Sequence, residues 1–322
     1  MTKGQIVGTV ILICRISLQL PRPTVSYFVK FLDDLIERHV QQFRKVIQQS
    51  DHLTVRTLPA PGQVSAVIAV IIGWDAVQQH RMFTTKVAVN VFCDTMKSLY
   101  EAYSDTPDRL PTYWKQDGEL WVSKTIDAEW KKRVIKRHKQ HKREIGKLDD
   151  GNDDLVSVYK QYGTTLLGLM ITDTFVYGFQ LGDGDICFVD ENGLDMVIEP
   201  ERILGVETHS LSRENAWQKA ISVVRMMNVM DRIPAIFTLS SDGYANSYKS
   251  EEEFHAAVTE YLSMLQEHGA EAVSKALAGW LKETSAMGCG DDITMLVAYF
   301  TEDSDTPSES IGEPVTEENA DE

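Results

Sequence analysis

The chain has 322 residues, 43% of them hydrophobic and 25% charged, with a formal net charge of −16. That profile excludes fibrous, low-complexity and disulfide-built proteins, and it fits one large globular domain or two small ones. Nine acidic and no basic residues fall in 301–322, so the rest of the chain carries −7 once those nine charges are set aside. An acidic balance of this kind argues against nucleic acid or an anionic membrane as a partner. No apolar run reaches the roughly 18 to 20 residues of a membrane-spanning helix. The four cysteines, Cys14, Cys93, Cys187 and Cys289, are scattered and form no CxxC pair. Such spacing argues against a thiolate zinc site and predicts a reducing, cytoplasmic location.

Along the chain, Lys3 is followed by the apolar stretch 6–14, which has the outline of a signal peptide. No small-residue cleavage site follows it, and Arg15 and Leu20-Pro21-Arg22-Pro23 come next, so secretion is not expected. Apolar residues at helical spacing predict a helix over 28–49. The continuous apolar run 64–72 predicts a strand buried on both faces. Helices are expected over 83–103 and, very basic, over 126–148. Short strands follow over 164–172, 174–181 and 185–189, with Glu191-Asn192-Gly193 as a turn. The pattern then predicts a helical stretch over 212–227, a strand over 235–240, helices over 250–266 and 270–283, and a strand over 293–300. Residues 301–322, almost without apolar side chains, read as a disordered acidic tail. Strand meanders interrupted by helix pairs indicate an α+β sandwich rather than a βαβ repeat.

Chemistry is most legible where acids end apolar strands. The run 235–240 opens directly into Ser241-Asp242-Gly243, and Gly288-Cys289-Gly290-Asp291-Asp292 directly precedes 293–297. A carboxylate at such a junction is held rigidly, and the glycine beside it lets backbone or ligand approach closely. Several acids of this kind brought together suit a hard divalent cation such as Mg²⁺ or Mn²⁺. Either motif alone is equally a common Asp-Gly turn.

Taken in order, Gly163-Thr164-Thr165-Leu166, Leu181-Gly182-Asp183-Gly184-Asp185, Leu239-Ser240-Ser241-Asp242-Gly243 and Gly290-Asp291-Asp292-Ile293-Thr294 resemble the metal-dependent type 2C protein phosphatases. The resemblance spans roughly 83–300. It implies an α+β fold in which two antiparallel sheets form a β-sandwich flanked by helices. It also implies hydrolysis of phosphoserine and phosphothreonine on proteins. Water activated by two Mn²⁺ or Mg²⁺ ions attacks phosphorus in line, with no cysteine nucleophile. On this resemblance Asp242 and Asp291 are catalytic metal ligands, and the turn 182–185 is mainly structural. Gly184 stands where the family usually has serine, and Asp292 where it has asparagine; neither change removes a carboxylate ligand.

The family's remaining ligands, an aspartate after a glutamine in an early strand and a bridging aspartate in an Asp-Gly pair before the first long helix, have no direct counterpart. Where the pair is expected the chain reads Ile71-Ile72-Gly73-Trp74-Asp75-Ala76, so Asp75 is the one acid available as a further metal ligand. Codon arithmetic offers an explanation. Tryptophan is always TGG, and with GGA for Gly73 the frame one nucleotide later reads Asp-Gly. With TTG-CCA-AGA-CCN for Leu20-Pro21-Arg22-Pro23, the same frame reads Cys-Gln-Asp. A reading frame displaced up to about 79–82 accounts for both losses; a divergent N-terminus with its own ligands is the alternative.

Residues 1–300 are therefore expected to form one phosphatase-like domain, with 1–82 divergent or frame-displaced and 301–322 as its tail. The expected partners are a phosphorylated protein and, as counterpart, a serine/threonine kinase, with no membrane and no nucleic acid. The competing class is a catalytically inactive phosphatase fold that serves as a binding or regulatory module. The one basic concentration, Lys131 to Arg143, reads as a solvated helix face. Within it His138 and His141 lack the acidic or cysteine companions of a metal site.

Overall fold

The structure is a computed structural model that describes residues 7–16, 53–60, 63–71, 81–103, 106, 109–141, 143–172, 175–199, 208–226, 232 and 234–301. Among the described residues, ten strands fall into two five-stranded sheets. The first has the order β1 (Val7–Ile16), β10 (Ile293–Thr301), β9 (Ala235–Ser240), β6 (Asp185–Asp190), β7 (Gly193–Ile198). The second has the order β2 (Leu53–Ala60), β3 (Gln63–Ile71), β4 (Leu166–Thr172), β5 (Phe175–Leu181), β8 (Ile221–Met226). Every pairing between them is antiparallel.

The central strands are apolar on both faces because both faces are covered. In β4, Leu167, Leu169 and Ile171 point between the sheets, where they meet Ile186, Phe188, Phe237, Leu239 and Leu296. Leu166 and Met170, on the opposite face, pack under helices α1 (Arg81–Tyr103) and α3 (Glu119–Gln140). The short helices α2 (Leu110–Tyr113) and α4 (Leu155–Lys160) flank α3. On the far side, Ile293, Met295, Val297 and Tyr299 of β10 lie against the long helix α6 (Glu251–Met287), which follows the single turn α5 (Asp242–Ala245). The result is four layers, helix–sheet–sheet–helix, the α+β sandwich expected from the sequence. Helix α6 is two helices joined at Gly269, where φ of 76° and ψ of 162° break the helical path. The two helices expected on either side of that position are therefore both present.

Two expectations need correction. The stretch 212–227 is not helical: it holds a 3₁₀ turn, Ala216–Gln218, and then strand β8. Apolar residues at Ile221, Val223 and Val224 are β-branched, and pairing with β5 along Phe175↔Met226 to Gln180↔Ile221 outweighs the weak helical spacing. The basic helix runs over Glu119–Gln140, seven residues earlier at its start than expected, and the chain after it is held by a bridge between Lys147 and Asp153. Residues 7–16, weighed as part of a signal segment, form β1 on β10. The expected helix over 28–49, Asp75 and the acidic tail beyond Thr301 lie outside the described residues. Among the described residues no helix is long and apolar enough to cross a membrane.

Gly168 shows how closely α1 lies on the sheet. A β-carbon there would run into the ring of Phe92, which is fully buried and sits 5.9 Å from the ring of Phe179. Gly168→Ala should therefore cost about 1–3 kcal/mol in urea unfolding, with Phe92→Leu in the same background recovering part of the loss. Equal stability of Gly168→Ala and the native chain would contradict this packing.

Candidate active site

Register brings three acid-bearing turns to one end of the first sheet. Ser240, the last residue of β9, pairs with Met295 of β10 on one side and Asp185 of β6 on the other. The turns just beyond these partners, Gly182-Asp183-Gly184 and Gly290-Asp291-Asp292, therefore lie on either side of Ser241-Asp242-Gly243. Asp242 and Asp291 are about fifty residues apart in sequence, yet their turns touch. A β-carbon on Gly243 would stand 2.6 Å from the Asp292 carbonyl oxygen and 3.4 Å from Asp291 Cβ. Only glycine permits that approach. Gly184 serves the turn on the other flank, where a β-carbon would lie 2.5 Å from the Ser240 carbonyl oxygen. This explains why the chain has no serine there.

Hydroxyl groups brace the turns. Ser285 Oγ, fully buried near the end of α6, donates to the Asp291 carbonyl at 2.6 Å, and the Gly290 N–H donates to the Ser285 carbonyl at 2.9 Å. Gly290 makes this turn with φ of 77°, a conformation that side-chain-bearing residues rarely hold. Ser247 Oγ donates to the Gly243 carbonyl at 2.7 Å, and the exposed thiol of Cys289 reaches the same oxygen at 3.4 Å.

The electrostatics mark Asp242 as the focus. Burial, then the charge of Asp183, then the charge of Asp291 push its carboxyl up to about 6, against hydrogen bonds from the Gly243 N–H and its own N–H that favour ionisation. Asp183 accepts a hydrogen bond from Thr208 Oγ1 at 2.9 Å. The sequence reading gave the turn 182–185 a structural role; Asp183 is in fact the third acid of the cluster. Its signal was the one that singled out the other two, an aspartate beside a glycine at the end of a buried strand.

Asp75 lies outside the described residues, but β1 and β3 both end at this site. β3 closes with Ile71 opposite Leu167, next to the Leu166↔Leu181 pair that leads into Asp183. β1 closes with Ile16 opposite Ile293, next to Asp292. Among the described residues no group of three histidine, cysteine or acidic side chains is arranged to hold a metal ion. The donors present suit a hard divalent cation in kind, being carboxylates that repel one another, but they form only part of a ligand set.

A family model described as protein phosphatase 2C matches residues 67–282, and the chain belongs to that family of serine/threonine protein phosphatases. No curated protein matches it. Among solved structures, a serine/threonine phosphatase of S. agalactiae is 12% identical with a TM-score of 0.49, over 80% of this chain and 95% of that one. The Mycobacterium tuberculosis serine/threonine phosphatase PstP/Ppp is 12% identical with a TM-score of 0.46, over 80% and 94%. A PstP catalytic domain in complex with two manganese ions is 16% identical with a TM-score of 0.43, over 80% and 94%.

The Asp242 carboxyl titrates higher in the folded chain than its ordinary value of 3.8, so folding favours its neutral form. Its contribution to stability is therefore most favourable below about 4 and is lost as pH rises through about 6. In the presence of a chelator, Asp242→Asn should match the native chain in thermal unfolding at pH 4 and exceed it at pH 7.5. A difference between the two proteins that does not change with pH would remove the like-charge strain from Asp242.

Proposed function

We propose that this phosphatase hydrolyses phosphoserine and phosphothreonine on proteins with Mn²⁺ or Mg²⁺, bound in part through Asp242 and Asp291. The observation that carries the reading is the acid cluster itself: three turns deliver Asp183, Asp242 and Asp291 to one sheet end, and Asp242 is held there against its own ionisation. A divalent cation relieves that repulsion, so the chain invests in a carboxylate that only a cation satisfies. When bound, such ions lower the pKa of water and neutralise phosphoryl oxygens. The chain's own residues hold the carboxylates in place: the N–H groups of Asp242 and Gly243 orient the Asp242 carboxylate, and Ser285 fixes the backbone of Asp291. The resemblance expects the remaining ligands just after β1 and β3, where Asp75 is the one acid the chain offers after β3.

The Asp242 and Asp291 carboxylates, even with Asp183 nearby, leave a six-oxygen site underfilled, which supports low turnover by the chain as it reads. Mn²⁺-dependent hydrolysis of a phosphothreonine peptide is the test. Asp242→Ala and Asp291→Ala, each made in a chain that carries Cys-Gln-Asp near Leu20 and Asp-Gly near Gly73, should lower it at least roughly 100-fold, since several kcal/mol of charge stabilisation goes with the ion. A chain carrying Cys-Gln-Asp near Leu20 and Asp-Gly near Gly73 should turn over far faster than the chain as it reads, and the nucleotide sequence of codons 9 to 82 should contain both in one displaced frame. Full activity in Asp242→Ala would overturn the site. Full activity in the unaltered chain would overturn the displaced frame.

A further inference from the structure

Ser241 occupies the N-cap position of α5, where a serine hydroxyl ordinarily accepts a hydrogen bond from the first turn of the helix. Here it makes no such bond. Its Oγ accepts the Thr294 N–H at 2.9 Å and donates to the Asp292 carbonyl at 3.3 Å, while its own N–H donates to the Thr294 carbonyl at 2.9 Å. Residue pairing between β9 and β10 ends at Ser240↔Met295. Beyond that point the Ser241 side chain takes the place of a backbone carbonyl and continues the ladder by one rung. That rung lies between the backbones of Asp242 and Asp291, and it leaves the N–H groups at the start of α5 to the Asp242 carboxylate.

We infer that Ser241 is a positioning residue: its hydroxyl, diverted from helix capping, sets the separation of the Asp242 and Asp291 carboxylates and with it the affinity for a divalent cation. The inference rests on the proposed metal-dependent function. Without the hydroxyl, Thr294 N–H and Asp292 carbonyl lose a shared partner, and the turns keep the bond from the Ser241 N–H to the Thr294 carbonyl and the contact of the Cys289 thiol with the Gly243 carbonyl. Relaxation of a few tenths of an ångström is then enough to let two like-charged turns move apart, because a small divalent ion tolerates poor geometry badly. A cap serine kept only for helix stability would behave differently, since removing it would alter unfolding and leave cation binding alone.

The test is Mn²⁺ binding to the full-length chain by isothermal titration calorimetry, beside thermal unfolding in chelator. Ser241→Ala should weaken Mn²⁺ about tenfold, in line with the 10–100-fold typical of groups that orient metal ligands. Ser241→Thr, which keeps the hydroxyl, should restore native affinity. Ser241→Cys, similar in size with a weaker donor and acceptor, should fall between them, and it carries the test if the alanine variant does not fold. Equal affinity in the native, alanine and cysteine proteins would overturn the role of Ser241 alone. Failure of threonine to restore affinity would overturn it too. A native chain that binds no Mn²⁺ would overturn the metal reading, and the role of Ser241 with it.

Discussion

The structure depends on one pairing, that of β9 with β10. It places Ala235 opposite Phe300 and Ser240 opposite Met295, and every other feature of the site follows from where it stops. Because side chains alternate along a strand, a slip of one residue would turn Phe237 and Leu239 out of the space between the sheets and would also separate Asp242 from Asp291. The buried faces thus enforce the register, and the register enforces the site. Packing that has no chemical role of its own determines which carboxylates meet.

That arrangement explains how the fold sustains an unfavourable electrostatic element. Asp242 is pushed up to about 6 by burial and by two neighbouring acids, a state an isolated turn would escape by opening. Here the turn is anchored on both sides. β9 beneath it is wholly buried, and Tyr244 one turn further on sits 1% exposed among Tyr248, Phe254 and Tyr261, with its hydroxyl 3.3 Å from that of Tyr261. Burial drives the Tyr244 phenol far above its ordinary range, so it stays neutral and acts as part of the core. The like-charge cluster is thus stabilised by apolar contacts behind it and hydroxyl braces beside it.

How much of this was legible in the sequence varied with the physical signal. β9, β10 and β4 announce themselves as unbroken apolar runs because each is covered on both faces. α1 and the two halves of α6 carry apolar residues at helical spacing. β8 was misread because this edge strand is only partly covered on either face, and its mixture of Ser222, Arg225 and Met226 with valines weakens the alternation. β7 escaped notice for the same reason: Gly193 and Leu194 are only partly covered and Asp195 is exposed. Asp242 and Asp291 were identifiable as acids at strand ends, but their proximity is a property of register, which no local pattern encodes. Asp183 carried the same local signature and was still assigned to turn structure. Its effect on Asp242 depends on β6 lying beside β9, a pairing made across more than forty residues of intervening chain.

The N-terminal strands point to a division of labour within the sandwich. β1, β2 and β3 enter their sheets through backbone hydrogen bonds, β1 against β10 and β3 between β2 and β4. Backbone pairing asks of a strand only that it be extended, largely apolar and free of obstruction, conditions that runs such as Val7–Ile16 and Gln63–Ile71 meet with many different side chains. Ligation asks for one particular side chain at one particular position. A segment whose sequence has drifted or whose reading frame is displaced can therefore still complete both sheets while failing to deliver the carboxylates expected just beyond β1 and β3. Membership of the family is carried by residues 67–282, and β1 and β3 complete their sheets whether or not carboxylates follow them.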